Sequence, residues 1–144
     1  MISTRGRYAL RMMIDLALYE GTGYVSLKDI AERQDISKKY LEQIIPMLNR
    51  AGLLATSRGA GGGYRLIKKP EEYTIGEILR VTEGTMAPVA CLETKENECA
   101  RRGSCMTLPV WEGLYKVVTG YLDSITLKDV IENAPADPGN EYSI

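Results

Sequence analysis

The apolar positions of this chain fall into blocks, and each block keeps one period. From Arg7 to Tyr19, Tyr8, Met12, Leu16 and Tyr19 recur at helical spacing, with Ala9, Met13 and Ala17 beside them. Leu10, Ile14 and Leu18 form a second apolar strip, which predicts a helix buried on more than one side. Gly21 and Gly23 end it. Ser26-Leu27-Lys28-Asp29 then reads as a capping-box-like start, a hydroxyl followed three residues on by an acid. That helix runs to about Gln34, and Asp35 and Ile36 make a short turn. Ser37 is the N-cap of the next helix, SKKYLEQIIPMLNRAG, whose Leu41, Ile44, Ile45 and Leu48 share one inward face. Two helices joined by so short a turn form a helix-turn-helix. Pro46 sits inside the apolar stripe, where it removes a backbone donor and crowds the preceding turn. A kink, or a helix that breaks and restarts, is expected there.

Beyond Gly52 the pattern changes. Leu53 to Ser57 and Tyr64 to Lys68 read as two short strands around RGAGGG, Arg58 to Gly63, which holds four glycines in six residues. A hairpin after a helix-turn-helix is a wing. It is not a nucleotide-binding loop, because it lies between two strands and lacks the Gly-Lys-Ser/Thr ending. Thr74 to Glu77 opens a short helix packing Ile75, Ile78 and Leu79, and Gly84 ends it. Thr107 and Pro109 start a long helix to about Ser124. Its stripe of Val110, Trp111, Leu114, Val117, Val118, Tyr121, Leu122 and Ile125 is close to a heptad, which predicts packing against a second copy. Thr126 to Asn133 reads as a last helix, and the tail APADPGNEYSI as disordered. The chain thus divides into a winged helix-turn-helix over 1–84, a cysteine loop over 85–106, a dimerisation helix and short helix over 107–133, and a tail over 134–144. The predicted fold is mainly α with a small β-wing.

Composition adds a charge asymmetry. Residues 1–69 carry 12 Lys+Arg against 6 Asp+Glu, and residues 70–144 carry 6 against 13. A basic first half points to a polyanion partner for that half alone. The first turns of the helix after Ser37 present Lys38, Lys39, Tyr40, Glu42 and Gln43, the part of a recognition helix that meets base edges. Lysines suit phosphate or guanine, Glu42 accepts from cytosine, and Gln43 pairs with adenine. Thr4, Arg5 and Arg7 open the first helix and suit the DNA backbone. No apolar run approaches the ~20 residues of a membrane span, and the N-terminus lacks a signal-peptide pattern. A cytoplasmic protein is expected.

All three cysteines lie in CLETKENECARRGSC, at Cys91, Cys99 and Cys105, and the chain has no histidine. An odd count in a reducing compartment excludes a closed disulfide set within one chain. A zinc site ordinarily offers paired ligands two to four residues apart and four donors, and neither is present. Thiolates are the usual donors to iron–sulfur iron. An iron–sulfur cluster is the leading reading, with a bare redox thiol set and a zinc site or inert loop as equal alternatives. With no CxxC pair and no histidine base, a thiol oxidoreductase is the weakest one.

TRGRYALRMMIDLA, SLKDIAERQDISKKYLEQIIPMLNRAGL, SRGAGGGYRL, TIGEILRVTEG, the cysteine loop and TLPVWEGL, taken together, resemble the IscR-like family of winged-helix transcription regulators over roughly residues 1–133. The resemblance implies a homodimer on a palindromic operator. It places Lys39, Tyr40, Glu42 and Gln43 at DNA-facing positions, with Ser37 and Lys38 beside them. It also implies that Arg58, with Gly59, enters the minor groove from the wing tip, where Ser57, Tyr64 and Arg65 add phosphate contacts. In the cluster-binding branch three loop cysteines hold an iron–sulfur cluster, with 2Fe–2S favoured here over 4Fe–4S. The fourth ligand departs from the family pattern. Leu108 stands where one branch has a histidine, and Arg7 where another has an aspartate. Glu93, Glu96, Glu98, Glu112, a small thiol or water remain as candidates. A second branch of the family, which regulates cysteine metabolism, partners cysteine synthase, an enzyme that accepts C-terminal isoleucine peptides. Tyr142, Ser143 and Ile144 are the matching residues.

Overall fold

The computed structural model describes residues 2–135, so the Tyr142, Ser143 and Ile144 reading lies outside the described residues. Six helices and one two-stranded sheet follow in the order α1 (Thr4–Leu18), α2 (Leu27–Gln34), α3 (Lys38–Arg50), β1 (Leu54–Ser57), β2 (Gly63–Leu66), α4 (Ile75–Glu83), α5 (Leu108–Ser124) and α6 (Leu127–Glu132). This is the predicted winged-helix architecture, mainly α with a small wing. Among the described residues, no helix is long and apolar enough to cross a membrane.

Each helix begins where the sequence places a cap, with one exception. α1 starts at Thr4 rather than Arg7, because the Ser3 hydroxyl accepts from the Gly6 N–H at 3.0 Å. Ser26, Ser37, Thr74 and Thr126 accept from the backbone three residues on, as their positions require. α3 runs unbroken through Pro46, so of the two expectations, a kink or a break and restart, the break does not occur. Pro46 and Glu42 both lie on the exposed side, so water reaches the Glu42 carbonyl that loses its donor. α1 is buried as predicted along Ala9, Met12, Met13, Leu16 and Ala17. Its second strip is weaker than expected: Leu10 and Ile14 pack from the edge, and Leu18 faces solvent.

The core lies where α1 crosses α3 and α4, with Ile30, Ile36, Leu53 and Tyr73 closing its ends. A charged group sits inside it. Asp15, 1% exposed, accepts from Arg33 Nε and Nη2 at 3.0 and 2.7 Å and from Gln34 Nε2 at 3.0 Å. The far face of Arg33 covers the Tyr19 ring. A buried carboxylate with three charge-assisted or amide donors has no alternative position of comparable energy, so α2 is locked onto α1.

The wing is held at its base as well as along its strands. β1 and β2 pair antiparallel from Leu54↔Leu66 to Ser57↔Gly63. The Val25 and Tyr64 backbones exchange hydrogen bonds at 2.8 Å each, adding a third short edge. Gly63 permits this approach, since any Cβ there would run into the Val25 carbonyl. The buried Tyr73 hydroxyl accepts from the Ile67 and Lys68 N–H groups at 3.0 Å each, and donates to the Leu53 carbonyl at 2.8 Å. At the C-terminal end, the Ile75 N–H donates to the Ile125 carbonyl and the Leu127 N–H to the Tyr73 carbonyl. These bonds, with the fully buried Leu127, seat α6 on α1 and on the segment leading into α4.

Tyr73→Phe leaves two wing N–H groups and one carbonyl without their partner. It is expected to cost about 1–3 kcal/mol of unfolding free energy and to speed amide exchange at Ile67 and Lys68 ahead of the α1 core. Chemical denaturation with exchange mass spectrometry measures both.

Candidate nucleic-acid interface and cysteine loop

The side chains singled out in the recognition helix share one exposed strip. Lys38, Lys39, Glu42 and Gln43 project to solvent from the first turns of α3, while Leu41, Ile44, Ile45 and Leu48 fill the core behind them. Tyr40 is half-buried. Its ring meets Tyr8 edge-on, with centroids 5.2 Å apart and planes at 74°, so α3 is propped against the start of α1. Ser37 uses its hydroxyl as a cap on the Tyr40 N–H, at 3.1 Å. The other end of α3 is tied to the wing: Thr56 Oγ1 donates to Asn49 Oδ1 at 3.2 Å.

Arg58 and Gly59 stand exposed at the wing tip, and Gly59 takes the left-handed φ of 88° that turns the loop. Ser57 pairs across the sheet with Gly63. Tyr64 packs its side chain toward the core and spends its backbone on Val25, while Arg65 is exposed with its guanidinium 4.9 Å from the Tyr24 ring centroid. At the start of α1, Thr4, Arg5 and Arg7 are exposed. Arg7 donates to Thr4 Oγ1, and Arg5 reaches back to the Thr82 carbonyl at 3.0 Å. Sequence reasoning missed the Asp15 cluster, the Tyr8–Tyr40 contact and the Asn49–Thr56 bond. Only the first left a signal, a lone carboxylate inside an apolar helical face.

The cysteine loop contrasts with this ordered face. Between α4 and α5 the chain makes one 3₁₀ turn, Ala90–Leu92, and is otherwise bends and turns. Among the described residues, the hydrogen bonds of positions 87–105 span no more than three residues. Met86, 2% exposed, anchors the loop where it leaves the core. All three thiols are free, with Cys99 exposed and Cys91 and Cys105 half-buried. The loop does not gather them: among the described residues, no group of three or more cysteine, aspartate or glutamate side chains is placed to hold a metal ion. The donor chemistry nonetheless suits thiolate ligation. The Thr107 hydroxyl, 3.4 Å from Cys105 Sγ, and the Thr107 and Leu108 N–H groups hold the Cys105 thiol below its ordinary range, with help from Arg101.

The long helix shows two faces. Tyr115, Val118, Leu122 and Ile125 pack on the core. Val110, Leu114, Val117 and Tyr121, spaced by four, three and four residues, are 39–68% exposed. Arg80 joins α4 to α5 through paired bonds to Asp123 at 2.7 and 2.6 Å, which hold the Asp123 carboxyl below its usual range.

A family model described as Rrf2, iron-dependent transcriptional regulator, matches residues 2–133. The chain belongs to the Rrf2 family. It is a transcription regulator, not an enzyme. The protein rrf2 of Nitratidesulfovibrio vulgaris is 40% identical over 144 residues, 99% of this chain and 95% of that one. Among solved structures, CymR of Bacillus subtilis, titled the global cysteine regulator, superposes with a TM-score of 0.77 at 41% identity, covering 94% of this chain and 98% of that one. The structure titled T. potens IscR gives 0.73 at 39% identity, covering 99% and 96%. Rrf2-family membership thus accords with the resemblance drawn from the sequence.

Thr107→Ala removes the largest influence that lowers the Cys105 thiol. Because a lowered thiol is more ionised at neutral pH, this variant is expected to alkylate more slowly at Cys105 near pH 7. It should match the parent once the pH exceeds the ordinary thiol range. Peptide mass spectrometry after timed iodoacetamide exposure of the metal-free chain reads the rates.

Proposed function

We propose that this Rrf2-family regulator is a homodimer whose operator affinity is controlled by an iron–sulfur cluster held by Cys91, Cys99 and Cys105. The observation that carries the reading is the position of three free thiols. They lie in a loop with only local tethers, between the helices that build the DNA face and a helix with an unpartnered apolar stripe. Val110, Leu114, Val117 and Tyr121 fit the seam of a two-helix contact with a second copy. Two-fold symmetry then puts two recognition helices on a palindromic site, about 34 Å or one DNA turn apart.

In this reading Lys38, Lys39, Glu42 and Gln43 enter the major groove. Arg58 and Gly59 reach the minor groove. Thr4, Arg5 and Arg7 lie along the backbone, Ser37 and Tyr40 orient the start of α3, and Tyr64 supports the wing. An iron–sulfur cluster supplies a link among three thiolates that iron supply and oxidation can make or break. To bind it, the loop must draw its cysteines together, and its short-range hydrogen bonds make that rearrangement inexpensive. A fourth ligand comes from outside the three cysteines, and an oxygen donor there suits an exchangeable site.

Arg58→Ala is expected to weaken operator binding by about 1–3 kcal/mol, whereas Arg7→Ala, on the backbone, should weaken all sequences alike and lower the salt slope by about one. Replacing all three cysteines by alanine should leave a folded, DNA-binding dimer that takes up no iron and shows no iron- or sulfide-dependent change in affinity. Anaerobic reconstitution followed by iron, sulfide and operator-binding assays decides the matter. An unchanged response in the triple variant overturns cluster control.

The likeness to CymR favours a second reading, a regulator of sulfur metabolism complexed with cysteine synthase through Tyr142, Ser143 and Ile144. Deleting Ile144 is then expected to abolish binding to purified cysteine synthase and leave operator binding by the free chain intact.

A further inference from the structure

The start of α1 is fastened to α4, the helix that leads into the cysteine loop, and shares an apolar groove with α5, the helix that leaves it. Glu83 is the last residue of α4, one position before Gly84 and three before the buried anchor Met86. Its Oε1 accepts from the Ser3 hydroxyl at 2.6 Å and from the Ser3 N–H at 3.1 Å, across 80 residues of sequence. The same Ser3 hydroxyl caps α1 at Gly6, and a Cβ at Gly6 would collide with the Glu83 carboxylate. Next to it, Arg5 donates to the Thr82 carbonyl at 3.0 Å. From the other side of the loop, α5 meets the same arm. Ile2 lines a wholly apolar groove of about 300 Å³ with Leu79 of α4 and Val117, Val118, Tyr121 and Leu122 of α5.

Charge and capping explain the clasp. A carboxylate taking two donors, one of them a short hydroxyl, is a charge-assisted pair roughly twice as strong as a neutral one. It also sits at the N-terminal end of α1, where the helix dipole favours a negative group. The arm so held carries Thr4, Arg5 and Arg7, and the next residue, Tyr8, props the recognition helix through Tyr40.

We infer that Glu83 is a positioning residue: through Ser3 it carries the state of the cysteine loop to the DNA-contacting end of α1 and so to α3. This rests on the loop being the sensor, as proposed above. A loop that draws its cysteines together acts at Gly84 on one side and Thr107 on the other. Gly84 directly follows Glu83, and Thr107 begins the helix whose later residues, Val117 to Leu122, line the groove with Ile2. With the clasp made, a shift of α4 relative to α5 moves the arm and Tyr8. With the clasp cut, α4 and α1 are joined at this end by apolar contact and the Arg5 bond alone.

The test compares the parent, Glu83→Ala, Glu83→Gln and Ser3→Ala, each before and after anaerobic reconstitution with ferrous iron and sulfide. Three quantities are read: bound iron, Trp111 emission as a reporter at the start of α5, and operator affinity by anisotropy. Thermal unfolding checks that each variant is folded. In the parent, reconstitution is expected to change affinity about tenfold or more. Glu83→Ala should bind the same iron and show the same Trp111 change, yet shift affinity by less than about threefold. Glu83→Gln, whose amide oxygen still accepts from Ser3, should keep most of the parental shift. Ser3→Ala should lose it like Glu83→Ala, and stands in for that variant if it fails to fold. A full parental shift in folded Glu83→Ala, or in Ser3→Ala where that variant stands in, overturns the inference while leaving the sensor reading intact. A parent that takes up no iron, or whose affinity does not respond, overturns the sensor reading, and the coupling role of Glu83 falls with it.

Discussion

The geometry of the exposed strip on α3 depends on one buried carboxylate. Asp15 lies in the middle of the central helix, out of reach of water, and its only relief is the paired nitrogens of Arg33 with the Gln34 amide. An unpaired charge there costs several kcal/mol, so α2 is pinned in angle and register at its C-terminal end. The tight turn at Asp35, in the left-handed region, then leaves α3 little freedom in where it begins. Arg11 adds a second fastening by donating to Gln34 from α1. The strip that bears Lys38, Lys39, Glu42 and Gln43 therefore inherits its direction from a residue it never touches.

Around this fixed point the fold is stiff in some places and loose in others, and the difference follows hydrogen-bond range. The wing is bound along its strands, across to Val25, and at its base by the Tyr73 hydroxyl. The cysteine loop is longer and, among the described residues, has only short-range bonds and one deep anchor at Met86. Segments of that kind open at low free energy. A stiff reader and a pliable loop in the same small chain suit a regulator whose affinity is to be changed rather than built.

α5 divides one periodic apolar stripe between two faces. Its apolar residues cover more of the helix than its own core can accept. Tyr115, Val118, Leu122 and Ile125 turn inward, and Val110, Leu114, Val117 and Tyr121 remain outside. The Arg80–Asp123 pair and the backbone bonds at Ile125 and Leu127 set the rotation of the helix that makes this division.

Much of this was legible without coordinates. The starts of α2, α3, α4 and α6 follow from hydroxyl caps, the wing from two short apolar runs around a glycine-rich turn, and the exposed strip of α3 from polar positions opposite Leu41, Ile44 and Leu48. These signals are local, because they arise from backbone geometry within a turn or a strand. The errors were local as well: Ser3 caps α1 earlier than the apolar pattern begins, and Pro46 is tolerated because its carbonyl partner faces water. What the tertiary structure alone decided are the pairings of distant surfaces. They include Asp15 with Arg33, Tyr8 with Tyr40, Val25 with Tyr64, Tyr73 with the wing base, and Glu83 with Ser3. Nothing in periodicity names such partners, since any exposed arginine or serine matches a carboxylate equally well until packing brings one of them within reach.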